Sequence, residues 1–204
     1  MGRNVVGRPL DWVLHELSAF FDKDDDVHHT LRRVTESLRV FDIPYAITGS
    51  MAMCLHGFMR VTGDVDLITT KEGLERIHAR LTDLGLAVFF PGARKQLRDT
   101  TTNIPIKLVI ASGEGKPNDI RFPDPFDSVE LDGYTVLSLP RLIEGKIVTG
   151  TTVDYRQLQD LGDVQALIRE LRLPLSFAEQ LDPTVHREFE RLWNLAQKKN
   201  PDFD

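Results

Sequence analysis

The stretch from Ile47 to Thr70, ITGSMAMCLHGFMRVTGDVDLITT, constrains this chain more than any other. Asp64 and Asp66 stand one residue apart at the entry to VDLITT, an apolar run that reads as a strand. Alternate residues of a strand share a face, so both carboxylates point the same way, with Cα atoms about 6.5–7 Å apart. Without a cation they would repel. With one, they can converge on a single divalent ion, or bridge a pair about 3.5–4 Å apart. Upstream, YAITG reads as a short strand ending at Gly49. SMAMCLHGF then reads as a helix, with Ser50 near its start and Gly57 near its end. A helix N-terminus presents free N–H groups and partial positive charge, which suits phosphate. Gly49 lets the backbone come close, and the Ser50 hydroxyl can donate to a phosphate oxygen. Mg²⁺ (or Mn²⁺) favours carboxylates together with substrate phosphates. The combination points to a metal-bound nucleoside triphosphate. Each half alone is weak, because Gly-Ser helix starts and Asp-x-Asp loops are common. Their order, with Arg60 and Thr62 between them, makes the signal specific.

Bulk properties narrow the partners. A length of 204 residues suits one or two small domains, and 41% apolar with 27% charged residues is ordinary for a globular protein with a real core. The net charge of -6 excludes a nucleic-acid binder that relies on its whole surface, so any RNA contact must come from a local patch. The single cysteine, Cys54, rules out an intramolecular disulfide and a cysteine-based zinc cluster and reads as a buried apolar residue. No apolar run approaches the ~20 residues needed to span a membrane. The opening MGRNVVGRPLDW lacks a continuous apolar core and a small-residue cleavage site. A cytoplasmic location without membrane partners is the expectation.

The rest of the chain divides into an α/β part and a helical part. LDWVLHELSAFF has helical spacing, DKDDDVHHT reads as a polar break, and LRRVTESLRVF reads as a second helix stopped by Asp42 and Pro44. KEGLERIHARLTDLG predicts an amphipathic helix with Leu74, Ile77, Leu81 and Leu84 on one face and Gly85 as its stop. LAVFF, KQLRDTT and IPIKLVIAS are strand candidates, GEGKPNDIRFPDPFD is a long loop, and SVELDGYTVLSL is a hairpin turning at Asp132-Gly133. After Leu139 everything reads as helix: PRLIEGKIVTG, YRQLQDLGDVQALIREL, LSFAEQL and PTVHREFERLWNLAQKK. The expected boundaries are 1–138 for the α/β lobe with its N-terminal helices and 139–204 for the helical lobe. The short link argues for one compact unit with two lobes. His56 reads as a packed residue, and no Ser–His–Asp spacing supports a hydrolase.

The segment GSMAMCLHGFMRVTGDVDLI resembles the signature of the nucleotidyltransferase superfamily, the DNA polymerase β-like fold. In the form HGFMRVTGDVDL it most resembles the AbiEii-type branch of nucleotidyl transferases and toxins of toxin–antitoxin pairs. PGARKQLRDT, GEGKP, FPDP, LPRLIEGKIVTG and RQLQDLGDVQALIRELRLP extend the resemblance over roughly Tyr45 to Trp193. It implies an α/β (α+β) fold, with a mixed sheet flanked by helices and a helical C-terminal lobe. It also implies that Asp64 and Asp66 bind metal and that a third carboxylate lies in the strand IPIKLVI. The matching position is Lys107. This inverts the charge, and each added like-charge contact at 4 Å costs on the order of 4 kcal/mol at an effective dielectric of ~20. A second metal is therefore disfavoured. Three readings of Lys107 compete. It disables transfer, or it binds phosphate and takes over part of a metal's role, or another acid, Asp99 being nearest, supplies the third carboxylate. A fourth, bland reading has Lys107 in solvent and the register misjudged.

The resemblance further implies a basic wall from Arg94, Lys95 and Arg98, against which stands a merely solvated hairpin. It matches Lys146 to a lysine of the branch. Arg156, Asp160 and Asp163 fall at i, i+4 and i+7 and share a helix face, with Gln159 where the branch has lysine. Placed across the cleft, Lys146 would approach phosphates and Asp160 or Asp163 the acceptor. The bland alternative is a surface Arg–Asp pair. Gly162 inside that helix suggests close packing. Two functions follow. One is a Mg²⁺-dependent enzyme moving a nucleoside monophosphate from an NTP to a hydroxyl on RNA (tRNA included) or protein, as the toxin partner of a cognate antitoxin. The other is a degenerate relative that binds nucleotide, RNA or a partner without turnover.

Overall fold

In a computed structural model, which describes residues 10–82, 84–111 and 127–198, seven strands form one sheet in the order β3-β4-β5-β2-β1-β7-β6. Two helices precede it, α1 (Leu10–Phe21) and α2 (Asp26–Val40). Then come β1 (Tyr45–Ile47), α3 (Gly49–Leu55), β2 (Val65–Thr69), α4 (Lys71–Leu81), β3 (Leu86–Val88), β4 (Gln96–Asp99) and β5 (Pro105–Ile110). The hairpin β6 (Ser128–Leu131) and β7 (Tyr134–Leu137) completes the sheet. The helical region follows as α5 (Leu139–Thr152), α6 (Gln157–Glu170) and α7 (His186–Ala196). The expected mixed sheet followed by helices is therefore the observed fold. No helix among the described residues is long and apolar enough to cross a membrane.

The sheet is mixed because its connections differ. β1 pairs antiparallel with β2 and parallel with β7, while β2 pairs parallel with β5. The meander β3-β4-β5 and the hairpin β6-β7 are antiparallel. Val65, Leu67 and Ile68 of β2 and all of β1 are buried, as a central strand pair requires. β5 alternates instead: Ile106 and Leu108 are buried while Lys107 and Val109 are exposed. One face of β5 is thus open, and Lys107 lies on it. The hairpin turn has Asp132 at φ 51° and Gly133 at φ 77°, the two positive values a type I′ turn needs.

Several boundaries differ from the sequence reading. α2 starts at Asp26, inside the expected polar break, because the Asp25 carboxylate caps it by accepting from the His28 N–H at 2.9 Å. α4 ends at Leu81, so Leu84 lies beyond it and is exposed rather than part of its buried face. LSFAEQL forms a 3-10 helix, Leu175–Gln180, confined to a short run after Pro174, and Tyr155 and Arg156 fall in a 3-10 turn, Asp154–Arg156. The long loop GEGKPNDIRFPDPFD lies outside the described residues except for Asp127.

Gly162 is not a packing glycine: a side chain there would meet nothing within 4 Å. The close approach occurs one helix earlier. A Cβ on Gly150 would fall 2.7 Å from Leu161 Cδ2 and 3.3 Å from the Leu161 backbone nitrogen, so α5 and α6 touch there. Gly150→Ala is therefore expected to lower unfolding free energy by about 1–3 kcal/mol through overpacking. Gly162→Ala is expected to raise it by up to ~1 kcal/mol through helix propensity. Urea titrations of both variants check the opposite signs.

Candidate active site

The glycine–serine turn and the acidic pair meet in space. Gly49 has φ 64°, a left-handed conformation that turns the chain from β1 into α3. A Cβ built on Gly49 would fall 2.1 Å from Asp66 Oδ2, so only glycine leaves room for that carboxylate. The start of α3 is not capped by the Thr48 side chain, and the Thr48 N–H donates to the Asp66 carbonyl at 2.9 Å. β1, the turn at Gly49-Ser50 and the acidic end of β2 are thus one local unit.

The two carboxylates have different surroundings. Asp64 precedes β2 and accepts from the Thr62 hydroxyl at 2.8 Å and from the Lys107 ammonium through Oδ2. Burial works to raise its pKa, but the Lys107 and Thr62 hydrogen bonds, with the charges of Lys107 and Arg156, hold it below the ordinary carboxylate value. Asp66, by contrast, is reached by no hydrogen-bond donor among the described residues. Burial, and then the charge of Asp64, push it up to about 6, against the weaker pull of Lys107, Lys146 and Arg156. Lys107 is in register with Asp66 across the parallel β2–β5 pair. The sequence register was therefore right, and Lys107 is half-exposed yet ion-paired rather than free in solvent. Its burial lowers its pKa, but Asp64 and Asp66 more than compensate and keep the ammonium charged.

The helical region faces this pair with a second set of charges. Lys146 of α5 is buried, and its ammonium donates to Asp163 at 2.6 Å and Asp160 at 3.3 Å. Asp160 is fully buried and is gripped by Arg156 through Nε at 2.9 Å and Nη2 at 2.8 Å. Asp163 also accepts from the Arg60 guanidinium, which arrives from the loop between α3 and β2. This is no surface Arg–Asp pair: Asp160 is desolvated, and the cations on it answer a large burial cost. Burial opposes the charge on Arg156, but its Asp160 hydrogen bond, with the charges of Asp160, Asp66 and Asp163, raises its pKa. Arg156 thus links the two acidic sets. Its i, i+4 spacing to Asp160 is the sequence signal for this role.

Gly49, Thr62, Asp64, Asp66 and Lys107 thus form one set, and Arg60, Lys146, Asp160 and Asp163 a second, with Lys146 and Arg156 close enough to act on Asp66 across the cleft between β2 and the helices; Ser50 follows Gly49 at the start of α3. The basic wall does not join them through contacts. Arg94 pairs with Glu75 of α4 at 2.5 Å, both exposed, and Lys95 is exposed. Arg98 donates to Asn103 at 2.9 Å. Asp99 is not the third carboxylate. It sits at the far end of β4, buried on Arg33 at 2.9 Å and on the Thr101 N–H at 2.7 Å, while Gln96 is the β4 residue paired with Lys107. His56 is packed, with Nε2 2.8 Å from the Leu137 carbonyl oxygen.

The acids free to meet a divalent cation are few. Among the described residues no three acidic, histidine or cysteine side chains converge as ligands. Asp64 already has an ammonium on Oδ2, whereas Asp66 is a carboxylate lacking a donor and beside another negative charge. A single cation held chiefly by Asp66 would relieve that repulsion.

Comparison with known proteins agrees at the level of the superfamily. Residues 30–154 match the family model of aminoglycoside-2''-adenylyltransferase. No curated protein matches the chain significantly. Among solved structures the chain is similar to TM1012 of Thermotoga maritima, a nucleotidyltransferase by assignment. Identity there is 21% over 64% of this chain and 89% of that one, with a TM-score of 0.45. It is also similar to JHP933 of Helicobacter pylori, at 15% identity over 84% of this chain and 90% of that one, with a TM-score of 0.46.

The raised pKa of Asp66 carries a stability consequence. The folded chain holds that proton more tightly than the unfolded chain, so ionising Asp66 costs stability. The cost is absent below the ordinary value of 3.8 and complete above about 6. With a chelator present, Asp66→Asn is expected to stabilise the fold at pH 8 by ~3 kcal/mol. The gain shrinks as pH falls and vanishes below about 4. Urea unfolding across this range measures it, and a pH-independent difference contradicts the assignment.

Proposed function

This chain belongs to the aminoglycoside-2''-adenylyltransferase family, and we propose that it transfers a nucleoside monophosphate, AMP first among them, from an NTP to a hydroxyl acceptor. The observation that carries this is the contact between Gly49 and Asp66, because it joins a phosphate-suited turn to an acidic pair in one site. In the reaction the acceptor oxygen bonds to the α-phosphorus, pyrophosphate leaves, and the hydroxyl proton passes to a base. Such transfer asks the protein for in-line positioning and charge neutralisation more than for covalent chemistry.

Each side chain has a task in this reading. Asp66 and Asp64 would hold one Mg²⁺ or Mn²⁺, which when bound neutralises phosphate charge. Thr62 fixes the Asp64 carboxylate through its hydroxyl. Ser50 and the uncapped start of α3 would donate to phosphate oxygens. The buried Lys146–Asp160–Asp163 set, clamped by Arg60 and Arg156, keeps the helical side of the cleft charged and rigid. Arg94 and Lys95, outside this set, would meet only the far end of a large acceptor. The α/β residues up to 138 would supply the nucleotide side and the helical residues from 139 the acceptor side.

The acceptor follows from charge. A net charge of -6 favours a cationic amino-sugar hydroxyl, the kind the family name specifies, over a nucleic acid. RNA or protein acceptors, a cognate antitoxin and a cytoplasmic toxin role rest on the resemblance to the AbiEii-type branch alone. A second reading, nucleotide binding without turnover, is favoured by one observation, the ammonium of Lys107 on Asp64. Label from α-³²P-ATP with Mg²⁺ is expected to pass to an aminoglycoside. Asp66→Ala should lower the rate on the order of 10²–10³-fold, as loss of a preorganised charge does. Transfer to total RNA instead would favour the toxin reading. Binding with no transfer to any acceptor would leave the non-catalytic one.

A further inference from the structure

The same cleft shows how its demand for metal has been altered. Lys107 shares a register position with Asp66 on adjacent parallel strands, so the two side chains leave the sheet on one face, roughly 5 Å apart at their origins. Yet the Lys107 ammonium does not rest on its register partner. It reaches along the strand to Asp64, where it bonds Oδ2 while Thr62 bonds Oδ1. Both oxygens of Asp64 are thus occupied by the chain's own donors. Asp66 turns instead toward Gly49 and the start of α3 and has no donor of its own among the described residues.

We propose that Lys107 is a resident cation that takes the place of a second divalent ion, so that this site loads a nucleotide with one divalent cation only. The inference rests on the nucleotide reading above for its ligand, but the effect of Lys107 on metal binding has its own readout. Charge alone requires the outcome. An ammonium bonded to one carboxylate raises the cost of placing a divalent cation on that carboxylate, since the cation must displace it or approach a like charge. The network across the cleft cannot make up the loss. Asp160 and Asp163 are the only other carboxylates described there, and each is committed to Lys146 and an arginine. A nucleotide in this cleft therefore meets a fixed positive charge on the Asp64 side and a movable one on the Asp66 side. The fixed charge is independent of metal supply.

Electron paramagnetic resonance counts the ions directly. The full chain is titrated with Mn²⁺, alone and with α,β-methylene-ATP, beside Lys107→Met and Lys107→Asp. Lys107 is half-exposed on an open sheet face, so both variants should fold, and thermal unfolding verifies it. The unsubstituted chain is expected to bind no more than one Mn²⁺. Lys107→Met should bind Mn²⁺ on the order of tenfold more tightly, the effect of removing one half-screened positive charge. Lys107→Asp should bind a second ion. Two ions on the unsubstituted chain, or unchanged number and affinity in both variants, overturn the proposal. Failure of every variant to bind the nucleotide analogue, with the Mn²⁺ changes intact, removes the nucleotide reading and leaves the role of Lys107 standing.

Discussion

The approach of Gly49 to Asp66 is the constraint on which the rest of the cleft depends. A left-handed residue ends β1, and its missing side chain is the space that the Asp66 carboxylate fills. Three properties are coupled at this point. The chain turns into α3, β2 can lie against β1 with its acid turned toward Gly49, and that acid is pressed against backbone rather than surrounded by donors. A larger residue at 49 would have to move either the turn or the carboxylate. The raised pKa of Asp66 follows from the same packing, since burial without a donor penalises the charged form.

A second constraint acts from the helical side. Lys146, Asp160 and Asp163 are buried charges whose desolvation is offset only because each has partners in good geometry. Arg60 reaches that set from the loop between α3 and β2, so the segment leading into Asp64 is tied to α6. Removing either end would leave a buried charge unpaired, which costs more than the pair itself is worth. The network thus fixes the distance between the acidic strand and the helices across from it. That is what a reaction governed by positioning requires of a scaffold.

The features legible in the sequence are those with a local cause. Strand periodicity, the turn at Asp132-Gly133, the Gly-Ser helix start and the Asp-x-Asp spacing each depend on neighbours within a few residues. The register of Lys107 was legible too, because an apolar–charged–apolar pattern allows a single alternation. The errors have distant causes. Whether a helical glycine packs is decided by the facing helix, so Gly150 against Leu161 was invisible while Gly162 drew attention. Asp99 looked available because it precedes β5, but the turn it caps and Arg33 of α2 claim it. The partnership of Arg60 with Asp163 spans the whole cleft and leaves no periodic trace.

The inversion of charge at position 107 alters chemistry without altering fold. On an open face of β5, a lysine and an acid occupy the same backbone geometry, and Ile106 and Leu108 on the buried face hold the strand in either case. Stability therefore places little restriction on this position, and the restriction comes from the cleft. There, four carboxylates face four cations among Asp64, Asp66, Asp160, Asp163, Arg60, Lys107, Lys146 and Arg156. A site already balanced by its own side chains cannot attract cations as strongly as one with an acid at 107. What it can still attract is an anion with one accompanying cation. Of the four carboxylates, Asp66 alone has no donor of its own among the described residues, and the other three are each held by a cation.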